Sequence, residues 1–164
     1  LAEGEGRNAV WLAAQGLDVL AVDQSAVGLA KAQKLAEERG VALRTEIADL
    51  AIFDLGTARW DVIVSIWAHT PPSIRRPLHR RCVEALRPGG IFVLEAYTPA
   101  QLALGTGGPK DEAMTMTLAG LREELAGLVF ERGIERERLV HEGKYHEGNS
   151  AVVQVVARKV VLAS

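Results

Sequence analysis

The sequence predicts one α/β domain over residues 1–164, with a mainly parallel sheet covered by helices on both faces. Three observations lead to this prediction. Strand-like and helix-like segments alternate along most of the chain, and the strand-like segments are short and apolar, as buried parallel strands are. Near the C-terminus, two strand-like segments follow each other with only a short stretch between them. The length of 164 residues, 48% of them hydrophobic, suits one domain with a sizeable core.

The first third of the chain begins the alternation. A glycine-rich turn over residues 3–9 opens a helix that we expect to end before Gly16. Asp18–Asp23 is nearly all apolar and predicts a buried strand. Ser25 is expected to cap the next helix, and Gly40 to end it.

The middle of the chain continues in the same way. Strands are predicted over Val41–Ile47, Trp60–Trp67 and Ile91–Tyr97. A helix is predicted between the last two strands, from a cap at Ser73 to about Leu86.

The C-terminal part departs from the alternation. Thr98–Asp111 has no periodicity and predicts a long loop, followed by a helix over about Thr117–Leu128. Val129–Glu142 and Ala151–Lys159 are strand-like, with only His141–Ser150 between them. This spacing predicts an antiparallel hairpin.

The charge balance and the cysteine content exclude several function classes. The net charge is −2, so we expect neither nucleic acid nor an anionic membrane surface as a partner. Cys82 is the single cysteine, which excludes an internal disulfide framework and fits a reducing compartment, so we expect a cytoplasmic protein. The sequence carries no clear signal of oligomeric state.

A glycine motif and an acid suggest a nucleoside-containing ligand. Gly4 and Gly6 allow close approach of backbone to a ligand, and Asp23 follows Gly4 by 19 residues at the end of the next strand. A carboxylate at that place can accept hydrogen bonds from both hydroxyls of a ribose. Ligands of such sheets bind beyond the carboxyl ends of the strands.

The glycines alone leave the nucleoside open, because Gly4-x-Gly6-x-x-Ala9 also satisfies the dinucleotide fingerprint. The pyrophosphate of NAD favours a helix N-terminus free of anions, whereas Glu3 and Glu5 lie in this loop. S-adenosylmethionine has no phosphate and carries two cationic groups. An NAD-dependent oxidoreductase and a non-catalytic nucleoside-binding domain stay open as alternatives.

Several segments together resemble the class I S-adenosylmethionine-dependent methyltransferases. They are AEGEGRNAVWLA (2–13), VDQS (22–25), ADL (48–50), LRPGG (86–90) and the terminal hairpin. The resemblance implies a Rossmann-like doubly wound sheet with strand order 3-2-1-4-5-7-6, in which strand seven is antiparallel. HTPPSIRRPLHRR (69–81) and LEAYTPAQL (94–102) are most similar to small bacterial methyltransferases of the tellurite-resistance and thiopurine-methylating kind.

The resemblance also implies where the cofactor S-adenosylmethionine binds. The residues it assigns to the cofactor are Gly4, Gly6, Asp23, Gln24, Asp49, Leu50, Ser65 and Trp67. The glycines would lie along the methionine part and the ribose, Asp23 would bind the ribose hydroxyls, and Asp49 would accept from the adenine amino group. Ser65 and Trp67 would lie near the methyl group.

Residues beyond the later strands are candidates for binding a small-molecule acceptor, such as a thiol or a selenium or tellurium oxyanion. They are Trp67, His69, Arg75, Tyr97, Tyr145 and His146. His69 and Tyr97 are the catalytic candidates, with His69 as general base for an oxygen or nitrogen acceptor. His141 and His146 lack a third ligand, so no metal is predicted.

Arg75 belongs to a basic helix face that has two interpretations. The face is either solvated and paired with nearby acids, or it attracts an anionic acceptor. The other members of the face are Arg76, Arg80 and Arg81.

The resemblance also bears on where the chain begins. Leu1 and Ala2 would be the last residues of strand one, and the family's usual acid would precede Leu1. We therefore expect the biological chain to extend upstream, so that the domain over residues 1–164 is N-terminally incomplete.

Overall fold

A computed structural model describes residues 1–141 and 147–161, and its strands form two sheets. Helices and strands alternate along most of the chain, as the sequence predicts, and the chain divides into two compact units, one over Leu1–Asp54 and another from Leu55 onward. The elements are α1 (Arg7–Ala14), β1 (Leu20–Asp23), α2 (Ala26–Glu38), β2 (Arg44–Ile47), β3 (Trp60–Ile66), α3 (Pro72–Ala85), β4 (Leu86–Tyr97), α4 (Gln101–Leu104), a 3₁₀ turn (Glu112–Met114), α5 (Leu118–Glu124), β5 (Leu128–His141) and β6 (Glu147–Lys159).

The first unit packs α1 and α2 on a parallel pair of strands. β1 and β2 pair in parallel from Leu20 opposite Arg44, and their core is formed by Ala9, Ala21 and Leu29. The predicted limits of α2 are confirmed: the Ser25 hydroxyl accepts from the Gly28 N–H at 3.0 Å, and Gly40, with φ of +64°, follows the helix end.

The second unit contains a four-stranded mixed sheet in the order β3-β4-β6-β5. β3 and β4 are parallel, while β6 is antiparallel to both of its neighbours, so β5 runs in the same direction as β4. The predicted hairpin is confirmed, and so is the direction of its first strand. Among the helices of the described ranges, none combines the length and apolar character that crossing a membrane requires.

The two sheets correspond to parts of the order that the resemblance implies. β1 and β2 correspond to strands two and three of that order. The strands β3, β4, β6 and β5 of the second sheet correspond to its run 4-5-7-6. The continuous seven-stranded order stays a prediction, and so does strand one. Leu1–Glu3 lie outside the regular strands, although the Glu3 N–H donates to the Val22 carbonyl of β1 at 3.2 Å.

Some element limits differ from the prediction for local reasons. α3 begins at Pro72, so its cap is Pro71 and not Ser73; a proline at the first helical position lacks only an N–H that would have no partner in the helix. The predicted loop after β4 contains α4, and the Gln101 amide oxygen anchors it by accepting from the Ala151 N–H at 2.9 Å.

The packing of the second unit can be tested through the buried thiol of Cys82. Cys82 of α3 is fully buried, and burial raises the pKa of its thiol to about 12. Since the thiolate is the reactive form, we expect the native protein to resist a thiol reagent such as dithionitrobenzoate at neutral pH and to react fully in denaturant. Rapid labelling of the native chain would contradict this packing.

Candidate functional site

The carboxylate of Asp23 joins three segments at the end of β1. Its Oδ2 accepts from the Gly4 N–H at 2.8 Å, and its Oδ1 accepts from the Ser25 N–H at 2.8 Å. The side chain therefore fixes the glycine loop and the start of α2 relative to the strand. Each carboxylate oxygen has a second lone pair, so the group can still accept from hydroxyls of a ligand.

The glycine loop presents bare backbone beside this carboxylate. Gly4 has φ of +64°, and a Cβ added there would meet no atom within 4 Å, so open space lies above the main chain. Gly6 has φ of +91°, and an added Cβ would come within 2.6 Å of the Ala32 Cβ. The loop thus needs glycine at Gly4 for its conformation and at Gly6 for packing as well, and it leaves room for a ligand at Gly4.

The N-terminus of α1 is already occupied by a carboxylate. Glu3 Oε1 accepts from the Ala9 N–H at 2.9 Å, and burial raises the pKa of Glu3 although this hydrogen bond opposes the shift. Glu5 forms an ion pair with Lys31. A pyrophosphate would need the N–H groups that Glu3 takes, so this loop does not suit a dinucleotide.

The neighbouring strand end brings a second acid to the same edge of the first sheet. Asp49 follows β2, and its Oδ1 accepts from the Ala51 N–H at 2.8 Å and from Gln24 Nε2 at 3.5 Å. Leu50 beside it is buried. The structure therefore brings together Asp23, Gln24 and Asp49, as the sequence predicts.

Three rings form an aromatic cluster, defined here as Trp67, His69 and Tyr97. The Trp67 and Tyr97 ring centroids are 4.5 Å apart, those of His69 and Tyr97 are 5.3 Å apart, and all three rings are stacked. The cluster lies at the carboxyl ends of the parallel strands β3 and β4. Arg138 of β5 lies over the Trp67 ring at 6.0 Å from its centroid.

Trp67 has an unusual backbone conformation. Its φ is +59°, and its N–H donates to the Glu95 carbonyl at 2.9 Å. For a bulky residue this conformation is a genuine outlier, with a cost of about 1–3 kcal/mol, and such outliers concentrate at functional sites. The strain points to a functional constraint on the indole ring.

The hydrogen bonds of His69 argue against its predicted role as general base. Its Nδ1 lies 3.0 Å from the Met114 carbonyl, which can only accept, so Nδ1 carries the proton. Its Nε2 accepts from the Tyr97 N–H at 3.3 Å. The ring is therefore neutral, and both of its nitrogens are engaged by the main chain.

Tyr97 and Ser65 differ from their predicted places at a ligand surface. Tyr97 is 0% exposed, and an added Cβ on Gly108 would approach its ring to 2.6 Å, so the ring is enclosed and supports its neighbours in the cluster. Ser65 is likewise buried within β3. Trp67 and His69 are the partly exposed members of the cluster.

Arg75 is buried, so its prediction as part of an exposed face is wrong. Its Nε and Nη2 donate to the Glu124 carboxylate at 2.9–3.2 Å, and its Nη1 donates to the carbonyls of Ala113 and Thr115. His79 Nδ1 lies 2.7 Å from Glu124 Oε2. All of its nitrogens are engaged within the fold, so this arginine does not meet an acceptor from solvent.

Sequence reasoning missed Glu124, although the sequence carried a signal for it. Glu124 follows Leu121 by three residues and precedes Leu125, and both leucines are buried. A carboxylate on the apolar side of a helix needs a buried cationic partner. Tyr145 and His146 lie outside the described residues, and their predicted roles stay predictions.

The family model for a methyltransferase domain matches residues 1–90. No protein of curated function matches the chain.

Solved structures share the fold at low identity. A protein described for the conversion of a disulfide bond into a thioacetal group during echinomycin biosynthesis is 21% identical, with a TM-score of 0.77 over 99% of this chain and 75% of that one. TehB from Haemophilus influenzae is 19% identical, with a TM-score of 0.75 over 95% of this chain and 55% of TehB. An S-adenosylmethionine-dependent methyltransferase from Methanosarcina mazei is 14% identical, with a TM-score of 0.78 over 98% and 90%.

The ion pair of Glu124 with Arg75 makes the folding stability depend on pH. Burial alone would raise the pKa of Glu124, but hydrogen bonds from His79 and Arg75 outweigh it and lower the pKa to about 2. Because the folded pKa lies below the ordinary value of 4.5, ionised Glu124 stabilises the fold above about pH 4.5. That contribution is lost as the pH falls from there towards about 2.

We expect Glu124→Gln to lower the free energy of unfolding at neutral pH by about 3–5 kcal/mol, since it leaves Arg75 buried without a counter-charge. The variant should also lose the part of the acid-dependent destabilisation that Glu124 causes. Urea unfolding across the pH range measures both effects, with Glu123→Gln, an exposed neighbour, as the control. Parallel pH curves for the wild type and Glu124→Gln would show the assignment to be wrong.

Proposed function

The chain belongs to the methyltransferase-domain family, and from that premise we propose that it methylates a soft nucleophile of a small molecule, either a thiol or a selenium or tellurium oxyanion. It is an S-adenosylmethionine-dependent enzyme. The bound cofactor supplies a methyl group made electrophilic by the attached sulfonium. The residues of the chain bind, orient and shield the reactants.

The residues of the first unit fit this cofactor. The open space above Gly4 can take the cofactor close to the main chain, and the free lone pairs of Asp23 can accept from its ribose hydroxyls. Asp49 has a second carboxylate oxygen for the adenine amino group. Glu3 at the start of α1 supports a cofactor without phosphate over NAD.

The hydrogen bonds of His69 are the observation from which we infer the class of acceptor. Both ring nitrogens are engaged by backbone groups, so His69 is not poised to remove a proton from an alcohol or an amine. A thiolate or a selenium or tellurium oxyanion needs no base at the moment of transfer. For such an acceptor, orientation against a fixed surface supplies much of the acceleration, and Trp67 offers that surface.

The same proposal includes the subfamily, the cellular location and the extent of the domain. We place the protein with the small bacterial enzymes of the TehB kind and expect it in the cytoplasm, with residues 1–164 acting as one domain. The chain spans just over half, 55%, of the length of TehB. Trp67 as a neighbour of the methyl group, and Tyr145 and His146 as further acceptor contacts, remain part of the proposal.

Asp23→Ala tests the cofactor site. The substitution removes the acceptor for the ribose and releases the Gly4 N–H, so we expect the affinity for S-adenosylhomocysteine to fall about 10- to 100-fold, as for other hydrogen bonds to charged groups. Calorimetric titration measures it. Asp18→Ala removes an exposed acid paired with Arg44 in the same unit, and should bind as the wild type does. Equal affinities of the two variants for S-adenosylhomocysteine would show that Asp23 does not bind the cofactor.

An acceptor panel with a His69 variant tests the reaction class. We expect methyl transfer to a small thiol, selenite or tellurite, and none to a phenol or an amine. His69→Gln should lower kcat/KM by about tenfold or less, and not by the 10²–10⁴-fold that loss of a general base causes. Transfer restricted to phenols or amines, together with a large loss in His69→Gln, would overturn the proposal.

A further inference from the structure

We infer that Arg75 is a positioning residue for the acceptor side of the enzyme, because it fixes the 113–116 segment that orients His69 in the aromatic cluster. The inference rests on the proposed function, in which this cluster contacts the acceptor. Arg75 does not touch the acceptor itself, since it is buried and its nitrogens are engaged within the fold.

The first link runs from Arg75 to the carbonyl that orients His69. Arg75 Nη1 donates to the Ala113 carbonyl at 3.1 Å and to the Thr115 carbonyl at 3.1 Å. These carbonyls belong to the residues on either side of Met114, whose own carbonyl lies 3.0 Å from His69 Nδ1. One guanidinium nitrogen thus fixes the peptide groups on both sides of the acceptor that sets the ring orientation and the tautomer of His69.

The second link closes a ring of hydrogen bonds through the cluster. The Met116 N–H donates to the Tyr97 carbonyl at 2.9 Å, and the Tyr97 N–H donates to His69 Nε2 at 3.3 Å. The 113–116 segment is therefore bonded to both His69 and Tyr97. A shift of this segment would change the hydrogen bonds at both nitrogens of the imidazole.

The anchor of Arg75 explains why the segment holds its place. Glu124 accepts from Nε and Nη2 of Arg75, and it is itself bonded to His79, whose ring contacts Phe92 edge-on with centroids 5.8 Å apart. Arg75, His79 and Glu124 are 7%, 2% and 9% exposed. The guanidinium is therefore held at three points and leaves little freedom to the carbonyls that it binds.

Stability alone does not account for this arrangement. Well-packed apolar side chains in place of a buried ion pair are often equally or more stabilising. They cannot, however, hold two carbonyls in a fixed relation to a third. A planar fork with several donors can, which is a property of arginine that lysine lacks.

Arg75→Lys tests the inference, because it keeps the charge and loses the fork. The first measurement is the nitrogen-15 spectrum of the imidazole of His69, assigned by the signal that His69→Gln removes. We expect a single Nδ1–H tautomer in the wild type and a mixture in Arg75→Lys. The second measurement is steady-state kinetics, in which we expect acceptor KM to rise by no more than the roughly tenfold effect expected for His69→Gln, while the affinity for S-adenosylhomocysteine is unchanged.

Controls separate positioning from loss of structure. Arg87→Lys alters an exposed arginine that also binds a carboxylate, that of Asp61, and should change neither measurement. Glu124→Asp keeps the negative charge but shortens the anchor, and gives a second perturbation if Arg75→Lys does not fold. In that case the same tautomer mixture and rise in KM are expected from Glu124→Asp.

The two readouts distinguish failure of the inference from failure of the proposed function. An unchanged His69 spectrum in a folded Arg75→Lys or Glu124→Asp protein would overturn the inference. A changed spectrum with unchanged acceptor KM would support the positioning of His69 and would remove the cluster from the acceptor site, against the proposed function.

Discussion

The glycine loop and the start of α2 in the first unit depend on one carboxylate, that of Asp23. It binds the Gly4 N–H and the Ser25 N–H at the end of β1, and so holds a glycine loop and a helix start at one point. The loop can take this shape because Gly4 and Gly6 adopt positive φ, and because the absence of a side chain at Gly6 lets Ala32 of α2 lie close to it. We propose that the same acid also accepts from a ribose, so that a structural contact and a binding contact share one group.

A second constraint, in the other unit, acts over a longer distance along the chain. The buried pair of Arg75 and Glu124 connects α3 with α5 and fixes the main chain of the 113–116 segment. That main chain determines the tautomer of His69. Both imidazole nitrogens are engaged by main-chain groups, which supports the proposal of an acceptor that is already nucleophilic.

The sequence predicted those parts of the molecule that depend on near neighbours. Hydrophobic runs indicated the strands, Ser25 and Gly40 marked the ends of a helix, and the spacing of Gly4 and Asp23 predicted the first part of the site. These features follow from local backbone chemistry and from the rule that parallel strands end at one edge. The hairpin followed from the short distance between two strand-like runs.

The parts that the sequence did not predict depend on partners far along the chain. Arg75 looked like a surface residue because Glu124, 49 residues later, gave no pairing signal by spacing. His69 looked like a base because the carbonyl of Met114, which fixes its proton, is a backbone group that any residue would supply. The positive φ of Trp67 likewise had no signal in the sequence, because bulky residues rarely adopt it.

Calorimetric titration of the chain with S-adenosylhomocysteine and, separately, with NAD shows whether this fold binds S-adenosylmethionine through the Gly4 loop and Asp23. We expect saturable binding of one S-adenosylhomocysteine per chain and no heat of binding with NAD. Saturable binding of NAD without binding of S-adenosylhomocysteine would contradict this expectation.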